Sequence, residues 1–405
     1  MNTTVDTVRP VPSRQLVWLR GELADWTSQG LISDEQAALI TTRYRADSPR
    51  AGVGRVLLVL GGGFVGIGLI WLVAANLDQL SPGTRFAAVA AIWLSLLAGS
   101  EALAARRSGP ALVGAIRLLA ALGFGAVVFQ AAQSLQVPAY EPRLVGVWAL
   151  GALLHGYLTR AYLPFVVGVA TGVGWWFAQP LTQQASGLAV VVLLGAGAVL
   201  AASLAVLHDG RIEPFAWTWR LLGAGMALLA VFVAAVPDVG SDDLAWNTWL
   251  VVALGAAAAA LVAALAVCRA VRPVLEPVGA VGVAAVAVGL ALWHTGTDTT
   301  SVDASDWLHA AVSVAAYVVL AVGLVALGTV RDHAPLTWMA MGGLVVFTTF
   351  QAFAVFAPIV TGAWLFVVLG SVFLATGFLF DRARRELAHA LDTDTPTDPQ
   401  QGAAR

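Results

Sequence analysis

The chain has 405 residues, of which 59% are hydrophobic and 11% are charged. Soluble domains carry about a quarter charged residues, so this composition excludes an ordinary water-soluble protein, which would expose large apolar patches. The formal net charge is −2 at pH 7, and no basic stripe typical of nucleic-acid binding occurs, so we expect no nucleic-acid partner. The composition predicts an all-α polytopic membrane protein whose main partner is the lipid bilayer.

Residues 1–50 are predicted to form a cytosolic helical hairpin with a flexible N-terminus. Ser13 is expected to cap the first helix, and Gly30 suits the position after its end. Ser33 and Gln36 have the spacing of a capping box, which predicts the start of a second helix. No signal-peptide pattern precedes the first apolar stretch, so we expect it to be retained as a membrane span. The first helix carries apolar residues at helical spacing, namely Leu16, Trp18, Leu19, Leu23 and Trp26.

Apolar runs of about 20 residues, the length that crosses the roughly 30 Å hydrocarbon core, recur along the chain. They predict a twelve-helix transmembrane bundle at 51–386, followed by a disordered cytosolic tail at 387–405. The fourth and fifth runs are short and are separated by little more than Arg160, so one of them is open to being re-entrant. The predicted spans are 56–76, 86–104, 111–132, 144–158, 162–178, 187–207, 217–236, 246–268, 274–293, 307–330, 336–354 and 359–380.

Arginine positions predict the orientation of the spans, because cytoplasmic loops are enriched in basic residues. With the N-terminus in the cytoplasm and twelve spans, every arginine except Arg85 and Arg143 falls on the cytoplasmic side. Adding or removing a single span would place later arginines outside. The pattern therefore predicts cytoplasmic N- and C-termini and a multi-pass location in the cytoplasmic (inner) membrane.

Two strings resemble a bacterial membrane family catalogued as domain of unknown function 2157. They are WTSQGLISDEQAALITTRY, from Trp26 to Tyr44, and GGGFVGIGLIWLVAANLDQLSP, from Gly61 to Pro82. Leu77 replaces a tryptophan of the family pattern, and FQAAQSLQ lacks the tyrosine and histidine of a later family string. The likeness covers roughly residues 15–135. It implies a membrane location and supplies no activity.

The end of the first predicted span carries Asn76, Asp78 and Gln79. These side chains are candidates for binding an ion or a lipid headgroup, and the alternative is a helix cap with an interfacial turn. Within the same span, Gly62 and Gly66 form a G-x-x-x-G pattern. Small residues at this spacing let two membrane helices approach closely, so we assign this pair to helix packing.

Further polar side chains lie within later spans. Glu101 and Arg117, near the cytoplasmic boundary, are predicted to form an interfacial charge pair, with a proton or ion relay as the alternative. Gln130, Gln133 and Gln351 lie toward the outer half of their spans. They are predicted either to hydrogen-bond between helices or to line an aqueous cavity.

The sequence offers no recognisable set of catalytic groups. We find no nucleophile arrangement, no phosphate-binding loop and no paired carboxylates within the spans, and Cys268 is the only cysteine. We therefore expect no enzyme activity, no cofactor and no metal site, and no ionisable group near the bilayer midplane. The predicted function is binding or assembly in the membrane, with a protein partner docking on the N-terminal hairpin. The alternative is a transporter or flippase for a lipid or a small neutral solute.

Overall fold

A computed structural model describes residues 9–11, 13–46, 81–136, 138, 141–182, 186–236, 239–240, 244–268, 271–293 and 304–351. It also describes isolated helical positions within 57–68 and 367–382. These residues are helical apart from turns, loops and two three-residue strands, which confirms the all-α class for this part of the chain. The chain divides into two compact units, residues 1–172 and 173–405.

The N-terminal module consists of β1 (Arg9–Val11), α1 (Ser13–Ser28), α2 (Asp34–Thr42) and β2 (Tyr44–Ala46). Its capping box is confirmed, because Gln36 N donates to Ser33 Oγ at 3.2 Å and Ser33 N donates to Gln36 Oε1 at 3.0 Å. Gly30 has a φ of 71°, the left-handed conformation that ends α1. Ser13 lies within α1 rather than before it.

The two strands were not predicted. β1 pairs with β2 in parallel, so that residues 9–11, expected to be flexible, are hydrogen-bonded to the far end of the module. Strands of three residues are too short to produce a recognisable alternation of polar and apolar residues. Residues 1–8 and the predicted tail at 387–405 lie outside the described residues.

Ten described helices follow, and each coincides with one predicted span. Seven of them are long and apolar enough to cross a membrane: α3, α4, α7, α8, α9, α10 and α11. The predicted spans 56–76 and 359–380 lie outside the described residues except for the isolated helical positions. The bounds are α3 (Pro82–Ala105), α4 (Pro110–Ser134), α5 (Pro142–Thr159), α6 (Tyr162–Thr182), α7 (Gly187–His208), α8 (Glu213–Ala234), α9 (Thr248–Val267), α10 (Val271–Ala291), α11 (Ala304–Val330) and α12 (Ala334–Gln351).

The helix ends follow from local chemistry. Ser81, Ser186 and Asn247 are N-caps whose side-chain oxygens accept a backbone N–H of the first turn of α3, α7 and α9. Arg160 ends α5 with a φ of 50°, and Asp332 follows α11 with a φ of 51°. These residues are in the left-handed conformation that usually selects glycine, so each turn carries some strain.

In the first unit, successive helices form antiparallel hairpins. Gly156 of α5 lies so close to the backbone of Phe165 in α6 that an added Cβ would be 2.7 Å from its nitrogen. One turn earlier in α5, the backbone of Leu153 approaches Gly168 in the same way, at 2.6 Å. The fourth and fifth predicted spans are therefore two separate helices joined at Arg160.

In the second unit, α7 is the central helix and contacts α8, α9 and α10. It contains no Asp, Glu, Lys or Arg, and most of its length is buried against its neighbours. Alanine and glycine let these helices approach closely, as where Gly223 of α8 meets the backbone of α7 at Ala198 and Ala202. α11 and α12 pair along the other side of α8, with the rings of Tyr317 and Phe347 stacked at a centroid distance of 4.0 Å.

Candidate functional site

A groove of about 1020 Å³ runs along α8, α10 and α11 in the second unit. Among its described lining residues, Arg220, Glu276 and Arg331 are the only polar side chains, and all three lie at one end. Along α11 the lining extends from Ala316 to Arg331, which at 1.5 Å per residue corresponds to about 20 Å. The groove is therefore a long apolar slot with a charged end.

The groove exists because the facing surfaces are built from small residues. An added Cβ at Gly279, Gly282 or Gly323 would meet no atom within 4 Å, so the space beside each is open. α10 and α11 make only sparse contact with each other, whereas both contact α8, which forms the floor. The rim is exposed, with Val319 at 71% and Leu275 at 60%. The slot thus opens sideways over part of its length.

An ion cluster closes the charged end of the groove. It contains Arg220, Glu276 and Arg331, together with Asp209 at the C-terminus of α7. Arg220 Nε donates to Glu276 Oε2 at 2.7 Å, and Arg220 Nη2 donates to Asp209 Oδ2 at 2.5 Å. Arg331 Nη2 donates to Glu276 Oε1 and lies 3.3 Å from Asp209 Oδ2. Each guanidinium therefore bridges both carboxylates.

Burial makes this cluster costly to break. Arg220 is 4% exposed, and its Nη1 has no hydrogen-bond partner among the described residues. Removing one partner from a buried ion pair typically costs about 3–5 kcal/mol, because an uncompensated charge stays in a medium of low dielectric constant. Arg331 is more accessible, with 28% of its side chain exposed. Arg220 thus anchors the cluster inside, and Arg331 lies at its edge.

Aromatic residues complete the charged end. The guanidinium of Arg220 lies 4.9 Å from the centroid of the Trp217 ring, and the His333 ring stacks on Trp217 at 3.6 Å with an angle of 4°. Burial, and to a lesser extent the positive charge of Arg220, lower the pKa of His333 below its usual value. The neutral imidazole is therefore favoured, which suits a flat ring stack beside a cation.

Arg220 and Glu276 are two ionisable residues of the helices that the sequence analysis did not single out. Arg220 is the eighth residue of α8 and Glu276 the sixth of α10, so both lie more than one turn inside their helices. The sequence contained a signal for them, because Glu276 falls within the predicted span 274–293. A carboxylate in a span is expensive and by default suggests a functional or paired group. Its partners are 56 and 55 residues away, which no local pattern reveals.

Glu101 and Arg117 are brought together as a charge pair in the first unit. Arg117 Nε donates to Glu101 Oε1 at 2.8 Å, and Nη2 donates to Oε2 at 2.7 Å, so the pair is bidentate. The antiparallel hairpin of α3 and α4 places the two residues at the same level. Glu101 is exposed at 44% of its side chain, which fits an interfacial location rather than an enclosed relay.

The glutamines predicted to line a cavity do not line this groove. Gln133 is exposed and Gln130 is half-buried, both near the end of α4. Gln351, the last residue of α12, is 2% exposed, and its amide has no partner among the described residues. The other predicted positions, Asn76, Asp78, Gln79, Gly62 and Gly66, lie outside the described residues.

No group of three or more His, Cys, Asp or Glu side chains within the described ranges is arranged to hold a metal ion. Cys268, at the C-terminus of α9, is unpaired. The chemistry that the described groove offers is therefore hydrogen bonding and charge at one end and apolar contact along the rest.

Comparison with known proteins gives one match. Residues 24–165 match a family model described as a predicted membrane protein (DUF2157). The resemblance predicted from the two strings is therefore confirmed for this segment, which includes most of the N-terminal module and α3–α5. No curated protein and no solved structure matches the chain. The matched segment ends before the groove, whose residues all lie beyond residue 200.

Proposed function

We propose that this multi-pass membrane protein binds a lipid, with an acyl chain in the groove along α8, α10 and α11 and the polar head beside the ion cluster. The observation that carries the proposal is the groove itself, which is apolar along its length and charged at one end. That distribution matches an amphiphile. A small neutral solute would instead be oriented by a few polar groups converging on it, and the described groove carries none away from its charged end.

The dimensions support a single acyl chain. The groove extends over about 20 Å of α11, more than half of the roughly 30 Å hydrocarbon core. Its exposed rim gives a chain a lateral entry from the bilayer, without passage through water. The sequence predicts either a binding or assembly protein or a transporter or flippase. Lipid binding in the groove favours the lipid transporter or flippase, since binding is the first step of transport.

The proposal includes twelve spans, cytoplasmic termini and a location in the cytoplasmic membrane. Support comes from the agreement between ten predicted spans and ten described helices. Further support comes from the ion cluster, which joins the end of α7, the first half of α8, the first half of α10 and the end of α11. Alternating helices bring these four regions to one side, the side on which the arginines predict the cytoplasm.

Filling the groove tests lipid binding directly. Gly279→Leu and Gly323→Leu add a side chain to space that is open in the protein, so neither should disturb helix packing. We expect each variant, purified in a mild detergent, to retain several-fold less lipid than the parent protein. Bound lipid is measured by native mass spectrometry of the full chain and by extraction and quantification.

Gly289→Leu is the matched control, because Gly289 lies on α10 and also has open space beside it but does not line the groove. Its lipid content should equal that of the parent protein. Equal lipid content in all four proteins would contradict the proposal, provided that thermal unfolding shows all of them to be folded.

The N-terminal module favours a second role, docking of a protein partner. Val17, Trp18, Leu31 and Leu39 are all more than 60% exposed, although the module places Leu16 and Leu23 in its interior. Exposed aromatic and aliphatic side chains on a small folded element are typical of interaction surfaces. This role is compatible with lipid binding and is tested separately below.

A further inference from the structure

We propose that the ion cluster recognises the phosphate of a phospholipid headgroup, with Arg331 as the main contact. This inference rests on the proposed lipid binding and deepens it by specifying the class of lipid. The cluster is formally neutral, with two arginines and two carboxylates. The argument therefore depends on hydrogen-bond donors rather than on net charge.

The cluster has more donors than its carboxylates use. Each guanidinium has five N–H groups, and a guanidinium accepts none in return. Arg220 uses Nε and Nη2, and Arg331 uses Nη2 alone. Both oxygens of Glu276 and one oxygen of Asp209 are already engaged. In the described cluster, the guanidinium N–H groups therefore outnumber the carboxylate oxygens that they engage.

Arg220 Nη1 makes this shortage costly. It is buried and has no partner among the described residues, and a buried unsatisfied polar group typically costs about 1–3 kcal/mol. Arg331, at the edge of the groove, makes no hydrogen bond through Nε or Nη1 to any described residue, and 28% of its side chain is accessible. An oxygen-rich group at this position supplies acceptors for charge-assisted hydrogen bonds.

The position of the cluster agrees with a headgroup rather than with the acyl region. Arg331 directly follows the last residue of α11, and Asp209 directly follows α7, so both lie where helices end. In a lipid whose chain lies in the groove, the phosphate would be at this end. A guanidinium donates charge-assisted hydrogen bonds to phosphate oxygens, and its positive charge is permanent.

The test compares two lipids with identical acyl chains, a phosphatidylethanolamine and the corresponding diacylglycerol. Binding to the delipidated full chain is measured by native mass spectrometry in a neutral detergent. We expect the phospholipid to bind at least about tenfold more tightly, a ratio that corresponds to about 1.4 kcal/mol. Arg331→Gln should reduce that ratio to less than about threefold while leaving the affinity for diacylglycerol unchanged.

Arg211→Gln is the matched control. Arg211 lies at the same end of the second unit but is exposed, bonds to the carbonyl of Leu207 and does not line the groove. It should keep the full preference for phospholipid. The substitution is made at Arg331 rather than at Arg220, because Arg220 is buried and its loss would destabilise the fold.

The outcomes separate this inference from the proposed function. If Gly279→Leu weakens both lipids but Arg331→Gln leaves their ratio unchanged, the groove binds acyl chains and the phosphate inference is wrong. If Gly279→Leu affects neither lipid, the proposed function itself is wrong. Inorganic phosphate at millimolar concentration should not displace the phospholipid, and displacement would identify the cluster as a site for free phosphate instead.

Discussion

At the scale of single residues, burial decides which polar groups matter. Glu101 and Arg117 form a bidentate pair, yet Glu101 is largely exposed, and exposed pairs typically contribute at most about 1 kcal/mol. Arg220 and Glu276 share a single hydrogen bond but are almost fully buried. An arginine–glutamate pair therefore contributes little to stability at the exposed site in the first unit and more at the buried site in the second.

Gly156 is the residue whose substitution should have the clearest structural effect. Its missing side chain lets α5 approach the backbone of α6, and an alanine Cβ would lie 2.7 Å from Phe165 N. Because backbone cannot rotate away as a side chain can, we expect Gly156→Ala to destabilise the protein by about 1–3 kcal/mol. The measurement is thermal unfolding of the purified chain in detergent.

Gly174→Ala provides the comparison for that experiment. Gly174 lies within α6 with open space beside it, so alanine there should be neutral or stabilising by up to about 1 kcal/mol. If Gly156→Ala and Gly174→Ala unfold at the same temperature, the close approach of α5 and α6 is not as described.

At the scale of elements, the N-terminal module combines a sequence-encoded hairpin with a strand pair that closes it. α1 packs against α2 and β2, and the parallel pairing of β1 with β2 joins the beginning of the module to its end. The interior of such a small module holds few apolar side chains. Val17, Trp18, Leu31 and Leu39 are exposed and contribute little to that interior, which agrees with the proposed docking of a partner on this surface.

We expect the double substitution Trp18→Ser and Leu39→Ser to reduce the apparent mass of the complex that contains this protein in mildly solubilised native membranes. Trp18 is 62% exposed, so its loss should cost little folding free energy and much of the partner contact. Apparent mass is measured by native electrophoresis. Gln29→Ser, at another exposed position of the module, is the control and should leave the mass unchanged. An unchanged mass in the double variant would argue against docking on this surface.

At the scale of the whole molecule, the main question is how many times the chain crosses the membrane. Seven described helices meet the requirements of length and apolarity, and α5, α6 and α12 are helices that fall short of them. In the twelve-span prediction these three cross as well, because the loss of any single one of them would move the arginines that follow it to the other side. Twelve spans and seven strongly apolar helices are therefore compatible.

Cysteine labelling tests this topology. In a Cys268→Ser background, we introduce Ser108→Cys, Asn247→Cys and Asp332→Cys, each in a turn or cap between described helices. In intact spheroplasts, a membrane-impermeant maleimide should label position 247, and should label positions 108 and 332 only after permeabilisation. Five helices separate 108 from 247, so labelling of both from the same side would show that one of the five does not cross.

The sequence by itself determined the membrane class, the positions of ten helices and the capping box, because each depends on residues close together in the chain. Hydropathy over about 20 residues indicates whether a segment prefers lipid. The capping box depends on Ser33 and Gln36 alone, which are three residues apart. The likeness of residues 24–165 to the family model was visible for the same reason, as contiguous strings of residues.

Only the tertiary structure decided the groove and the ion cluster. Glu276 by itself is a lone carboxylate in an apolar span, and its meaning depends on arginines more than 50 residues away in both directions. The groove is likewise a property of three helices, since glycine at 279 or 323 gives either close packing or open space according to what lies opposite. Small residues permit close helix contact where the opposite surface fits them and leave a cavity where it does not. That fit depends on segments far apart in the chain, so local sequence does not reveal it.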